Sequence, residues 1–229
     1  MTIHAELLPT VLPEEPLTLF AAWLEAAMHS RAQPNPNAMV LATADAQGTP
    51  SARVVLCKEL QFPPGYVTFY THYDSRKGRE LAANPRAAAV IHWDSLHRQV
   101  RLEGNITRVA PDRSDAYFAS RSWQSRLSAL ASAQSEPIGS RAAMENAVEA
   151  TASRLAAPSP LRSDGAAPDP GVVIARPAHW GGYHLWISAV ELWVEGAGRL
   201  HDRARWQRTL RAVAGGFDAG PWSATRLQP

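Results

Sequence analysis

The chain has 229 residues, of which 45% are hydrophobic and 19% charged, and its formal net charge is +2. That length can bury a sizeable core, and so small a net charge excludes a general nucleic-acid-coating surface. No apolar run reaches bilayer-spanning length, the opening MTIHAELLPTVLPEEP lacks the basic end and apolar core of a signal peptide, and the lone Cys57 excludes an internal disulfide. The expected setting is a reducing cytoplasm, with no membrane and no nucleic acid as partner.

Residues 1–16 are broken by Pro9, Pro13 and Pro16 and read as a flexible arm. LTLFAAWLEAAMHS has apolar residues at helical spacing and predicts one helix. AMVLATADAQGTPSARVVLCKEL predicts two strands around a turn at Ala46–Gly48, and GYVTFYTHY a third, rich in β-branched and aromatic residues. SRKGRELAAN predicts a short helix. AAAVIHWD and RQVRLEGNITRVA predict two more strands. SDAYFASRSWQSRLSALAS predicts a single helix with Ser114 as N-cap. A further helix follows over 140–155, and 156–170 reads as a flexible insertion. Strands return in YHLWISAVELWVEG, RLHDRARWQRTL and WSATRLQP. Hairpin succession favours antiparallel pairing and a closed or partly closed barrel, one domain over 17–229.

Only two of the 23 basic residues are lysines, Lys58 and Lys77. Lys77 follows Arg76 in the first turn of a helix that Asp74 or Ser75 can cap. Free N–H groups and the positive dipole end disfavour cations there unless an anion is present. The pair therefore points to a bound phosphate or carboxylate, or else to two solvated side chains. Lys58 lies five residues from Arg53, so a regular strand places it with Val54 and Leu56, which read as core-facing. A lysine on an apolar face needs an anionic partner; the alternative is the exposed end of a strand.

Tyr117, Arg121 and Ser125, spaced four apart on one helix, would form a donor stripe suited to a phosphate dianion, or a solvated polar face. After Trp193 and a Gly-Ala-Gly turn, Arg199, His201 and Arg203 alternate, as on one face of a strand. Gln99 adds an amide that can read a heterocycle's polar edge. The histidine pairs His92/His97 and His179/His184 lie five apart with no acid or cysteine completing a ligand set, so no metal is expected. No phosphate-binding glycine loop or nucleophile elbow is present. Anion and ring sites without a nucleophile or base suit a bound cofactor that performs the chemistry.

The ordered pieces RVVLCK, FYT, SRKGREL, NPRAA, RQVRLEG, YFASR, AQSEPIGSR, HWGGY, ELW and RLHDR resemble the pyridoxine/pyridoxamine 5′-phosphate oxidase family, from about residue 38 to the C-terminal RLQP. The resemblance implies a fold that is mainly β with flanking helices, an antiparallel, Greek-key-like split β-barrel, binding FMN at a homodimer interface. It implies FMN phosphate and ribityl contacts at Arg53, Arg76, Lys77, Gln134 and Ser135, with help from Val54, Val55, Leu56, Cys57, Lys58, Tyr70 and Thr71. Gln99, Trp193 and Arg203 would lie at the isoalloxazine. Lys58, Tyr117, Arg121 and Ser125 would hold the substrate phosphate, and Arg199 and His201 would face the pyridine ring as the catalytic pair. The implied reaction passes a hydride from C4′ of pyridoxine or pyridoxamine 5′-phosphate to flavin N5, and dioxygen then becomes peroxide. The family's arm motif Arg-x-x-Tyr is missing, because MTIHAELLPTVLPEEPL has neither residue. Related FMN enzymes oxidise reduced phenazine precursors, which keeps such a substrate, or a low-turnover flavin or pyridoxal-phosphate carrier, as the alternative.

Overall fold

Glu15 starts the first helix. Its carboxylate accepts the backbone N–H groups of Leu17 and Thr18, doing what Pro16 cannot. The helix, α1 (Leu17–Ser30), stops where Arg31 turns left-handed, at φ 49°. The computed structural model describes residues 6–161 and 171–229. The remainder of the expected arm (1–5) and of the expected insertion (162–170) lies outside the described residues.

Strands β1 (Ala38–Ala44), β2 (Pro50–Leu56), β3 (Glu59–Gln61) and β4 (Tyr66–His72) follow, then α2 (Arg76–Ala83), β5 (Arg86–Trp93) and β6 (Arg98–Arg108). The β1–β2 turn is closed by Asp45, whose Oδ1 accepts from Gln47 and Thr49, with Gly48 left-handed at φ 84°. Three helices come next: α3 (Pro111–Ala119), α4 (Trp123–Ala131) and α5 (Arg141–Arg154). The chain ends in β7 (Trp180–Val194), β8 (Asp202–Gln207), β9 (Leu210–Val213), β10 (Gly216–Ala219) and β11 (Ser223–Leu227).

The single helix expected over 114–132 is in fact two. Ala110 precedes α3, and Pro111 takes its first turn. Ser114 is therefore no cap; it is buried, and its Oγ accepts from the Gly182 N–H at 3.3 Å. The break falls at the serine-rich 120–122. Ser122 adopts an extended conformation and caps α4 by accepting from the Ser125 N–H. Short hydroxyl side chains that bond nearby backbone compete with helix continuation.

The main sheet runs β11-β8-β7-β6-β5-β1-β2, with β4 joining β3 and β7. The ladders β1–β2, β1–β5, β5–β6, β7–β8 and β8–β11 are all antiparallel. Cα packing divides the chain into two compact units. The first holds the described residues up to Phe69, Ala83–Thr107 and His184–Pro229; the second holds Tyr70–Ala82 and Arg108–Tyr183.

In the first unit, Phe20 and Trp23 of α1 are buried, as are the inward residues Leu41, Phe69, Ile91, Val100, Leu102, Leu185, Ile187 and Trp206. Part of the expected arm belongs here too. Leu8 N–H donates to Asp202 at 2.9 Å, Trp206 Nε1 to the Pro13 carbonyl at 2.8 Å, and Arg226 to the Pro9 carbonyl at 2.7 Å. The second unit packs Phe118, Trp123, Leu127, Ala129, Ala152, Ile174 and Trp180 together. Among the described residues no helix is long and apolar enough to cross a membrane.

Leu102 is fully buried in mid-sheet. Leu102→Ala is expected to lower the unfolding free energy by about 2–5 kcal/mol, measured by urea titration of tryptophan fluorescence. A loss under about 1 kcal/mol would place this side chain outside the core that the structure assigns to it.

Candidate active site

In the second unit, the end of β4 and the start of α2 build a polar cluster around Lys77. The residue is only 8% exposed. Its ammonium donates to Gln134 Oε1 at 2.7 Å, Thr71 Oγ1 at 3.0 Å and Ser75 Oγ at 3.2 Å. Thr71 also donates to Gln134 Oε1, at 3.1 Å. Ser75 is the helix cap, since its Oγ accepts from the Gly78 N–H at 3.3 Å while donating to the His72 carbonyl. Gly78 has to be glycine, because a Cβ there would stand 2.0 Å from the Tyr73 carbonyl oxygen. The chain after α4 is tied back by Arg79, whose guanidinium pairs with Glu136 at 2.6 Å. That pair flanks Ser135, a left-handed residue at φ 76°.

The lysine–arginine pair of the sequence thus separates into two roles. Lys77 turns inward. Arg76 stays exposed and bonds Glu80, one helical turn on, at 2.9 Å.

Beside this cluster, Tyr70 stacks on Tyr117 with centroids 3.8 Å apart and planes 15° apart, and Trp180 lies near parallel to both. Arg121 sits 4.8 Å from the Trp180 ring centroid and 5.5 Å from that of Phe118. Its Nη1 is buried without a hydrogen-bond partner among the described residues. Burial lowers the Arg121 pKa from its ordinary value. The expected one-helix stripe does not form: Tyr117 is on α3, Arg121 in the connection and Ser125 in the first turn of α4. The break instead brings hydroxyls together, with Ser122 Oγ 2.9 Å from Ser125 Oγ.

His72 escaped the sequence reading, and His179 entered it only as half of a histidine pair with no metal expected. His72 is buried and stacks on His179 with centroids 5.2 Å apart. Burial, then His179, Lys77 and Arg121, push the His72 pKa down from 6.5 to about 4. The only signal of His72 in the sequence is its place at the end of an apolar strand.

In the first unit, Arg53 reaches across β2 to β1. It donates to the Leu41 carbonyl at 3.3 Å and to the hydroxyls of Thr43 and Ser51. Val54 is 64% exposed, which corrects its assignment to the core. Val55 and Leu56 are half-buried, Lys58 is exposed, and β2 has ended before Lys58. The apolar residues beside Lys58 therefore line an open sheet face. Cys57 is buried, and desolvation pushes its thiol pKa up to about 12. Gln99 lies on β6 opposite His92.

Trp193 pairs with Arg203 across β7 and β8. The expected alternation of Arg199, His201 and Arg203 along one strand is not formed. Arg199 ends a short 3-10 turn with φ 66°, His201 follows it, and only Arg203 is in β8. The glycine-rich segment coils instead of extending, because Gly198 and Arg199 are both left-handed. The His201 ring still reaches Trp193, with centroids 4.7 Å apart. Arg203 is immobilised by Glu191, which accepts from Nε at 3.0 Å and from Nη2 at 2.8 Å, while Nη1 donates to the Gln228 carbonyl at 2.9 Å. Glu191 is 2% exposed and also accepts from Arg101 at 3.0 Å. The lone acid inside the apolar run AVELWV was the available clue to it.

Residues 26–154 match the family model described as pyridoxamine 5′-phosphate oxidase. Residues 180–229 match the model described as the pyridoxine 5′-phosphate oxidase C-terminal dimerisation region. The pyridoxine/pyridoxamine 5′-phosphate oxidase of Herminiimonas arsenicoxydans is 42% identical over 226 residues, covering 99% of this chain and 95% of its own. That of Novosphingobium aromaticivorans is 46% identical, covering 94% of each. Among solved structures, PhzG from Burkholderia lata in complex with tetrahydrophenazine-1-carboxylic acid superposes with a TM-score of 0.78 at 29% identity, covering 95% of this chain and 94% of that one. A pyridoxamine 5′-phosphate oxidase-related, FMN-binding protein of Nostoc punctiforme shares the fold, with a TM-score of 0.67 at 18% identity, covering 95% of this chain and 100% of that one. The fold is the mainly β split barrel that the resemblance implied.

The His72 shift has a definite sign. The unfolded chain takes up this proton near pH 6.5 and the folded one only near pH 4, so stability falls as pH drops through that window and the effect is complete below it. Urea midpoints measured at pH 7, 6 and 5 should decline, and His72→Gln should flatten the decline. An unchanged slope in that variant would assign the pH dependence to other groups.

Proposed function

This chain belongs to the pyridoxamine 5′-phosphate oxidase family, and we propose that it is an FMN-dependent oxidase of phosphorylated B6 vitamers, acting as a cytoplasmic homodimer with FMN at the subunit interface. The observation that carries the reading is the half-buried Arg121 guanidinium. Its buried Nη1 has no hydrogen-bond partner among the described residues, and the Tyr117, Ser122 and Ser125 hydroxyls come from the same helix pair. A guanidinium stripped of water gains most from a phosphate oxygen.

The residues also fit a phosphorylated flavin. The Lys77, Thr71, Ser75 and Gln134 cluster offers ammonium, hydroxyl and amide groups at a helix N-terminus, and Arg76 and Ser135 are its neighbours in the chain. Arg53, the Val54–Lys58 segment and Tyr70 would complete the phosphate and ribityl contacts. Gln99, Trp193 and Arg203 would face the isoalloxazine, with Arg203 held still by Glu191. Lys58 would join Arg121 on the substrate phosphate, and Arg199 and His201 would face the pyridine ring.

When bound, FMN supplies the two-electron acceptor, and dioxygen then takes the electrons to give hydrogen peroxide. The chain's own groups bind, orient and exclude water. A reduced phenazine precursor is the second reading, supported by the likeness to PhzG and by an N-terminal segment without arginine or tyrosine.

The deciding experiment is an anaerobic titration of the FMN-loaded protein with pyridoxine 5′-phosphate, following oxidised-flavin absorbance. Reversible bleaching with formation of pyridoxal 5′-phosphate is expected. A flavin that stays yellow with this substrate but bleaches with a reduced phenazine carboxylate would select the second reading. Arg121→Ala should raise the KM for the phosphorylated substrate by about tenfold or more, the worth of one charge-assisted hydrogen bond, while FMN stays bound. Unchanged turnover in that variant would remove Arg121 from the phosphate site.

A further inference from the structure

We infer that His201 serves as a neutral hydrogen-bond donor through Nε2–H, and that the backbone of Gly196 sets this form. The Gly196 N–H donates to His201 Nδ1 at 3.2 Å. A backbone N–H can only donate, so the Nδ1 lone pair is occupied and the proton of the neutral ring resides on Nε2. The tilted contact with Trp193 restrains the ring from the side.

The turn is built to hold this bond. Glu195 is tied to His97 twice, by its N–H to the His97 carbonyl at 2.9 Å and by its carboxylate to His97 Nδ1. Leu200 N–H closes onto the Ala197 carbonyl at 3.1 Å. A Cβ on Gly196 would stand 1.9 Å from the Leu200 carbonyl oxygen, so only glycine lets the chain approach this closely. Gly198 and Arg199 are both left-handed within the turn. For an arginine that conformation is held against its intrinsic preference by the surrounding closure.

The chemical consequence concerns the substrate, and there it rests on the proposed function. An imidazole with Nδ1 occupied and Nε2 protonated has no free lone pair with which to take a proton. It recognises an acceptor, and the class of group it fits is a lone-pair or anionic oxygen on an aromatic heterocycle. Gly196 is then a positioning residue and His201 a specificity-determining donor.

The test begins with the FMN-loaded protein carrying 15N-histidine, read by long-range proton–nitrogen correlation at pH 8. His201 is assigned by the loss of its signals in His201→Gln. The expected pattern is a pyridine-type Nδ1 and a pyrrole-type Nε2 in the wild type, with the tautomer shifted or averaged in Gly196→Ala. A wild-type ring protonated at Nδ1, or a Gly196→Ala spectrum identical to wild type, overturns the inference. Kinetics supply the second readout. Glutamine can place an amide N–H near the Nε2 position but is no base, so His201→Gln should retain about tenfold more kcat/KM than His201→Ala, the worth of one hydrogen bond. Equal loss in the two variants overturns the donor role. Absence of turnover with any B6 vitamer in the wild type would instead defeat the substrate reading, and the nitrogen spectra would still decide the tautomer.

Discussion

A buried ammonium must be surrounded by acceptors or it destabilises the fold. Around Lys77 that requirement organises the second unit. Its three acceptors come from the end of β4, the cap of α2 and the segment after α4. Satisfying one charge therefore fixes three pieces of chain at once. Gly78 and Ser75 make the geometry possible, the first by leaving room for the Tyr73 carbonyl and the second by sharing one hydroxyl among cap, lysine and strand. Burying that lysine thereby gathers the Thr71, Ser75 and Gln134 side chains at one helix N-terminus.

The first unit meets the same constraint with arginines and buried or half-buried acids. Glu191 holds Arg203 and Arg101, and Glu103 holds Arg205 through two bonds of 2.8 Å. The Arg205 guanidinium holds the Glu103 carboxyl below its ordinary pKa. Planar guanidinium forks locked to carboxylates lose little freedom when a ligand arrives. Rigid placement of charge is what an enzyme needs when its cofactor performs the electron transfer.

The two kinds of aromatic contact have different work. Tyr70, Tyr117 and Trp180 stack near parallel, and the Trp180 and Phe118 rings cover part of the half-buried Arg121 guanidinium. Trp193 restrains a single histidine ring. A desolvated cation attracts a dianion strongly, and an oriented imidazole discriminates among ring substituents. Under the proposed function, phosphate affinity would rest on Arg121 and ring recognition on His201.

Periodicity in the sequence indicated the longer strands, α1, α2 and α5, because alternation and helical spacing record which side of each element is buried; the short β3 and the β9–β10 hairpin were not anticipated. The clustering of donors in SRKGREL, YFASR and RLHDR is also what suggested anion and ring binding, the reading the proposed function rests on. The tertiary structure decided how those donors are used. It broke the 114–132 helix at Ser122, because a side-chain cap competes with the next helical turn. It coiled the segment before β8, because Gly198 and Arg199 adopt left-handed conformations that spacing does not register. It also turned Lys77 inward and left Arg76 outside, although the two are adjacent in sequence. Which of two neighbouring cations is buried depends on acceptors far away in the chain, such as Gln134, and local sequence pattern carries no information about contacts at that separation.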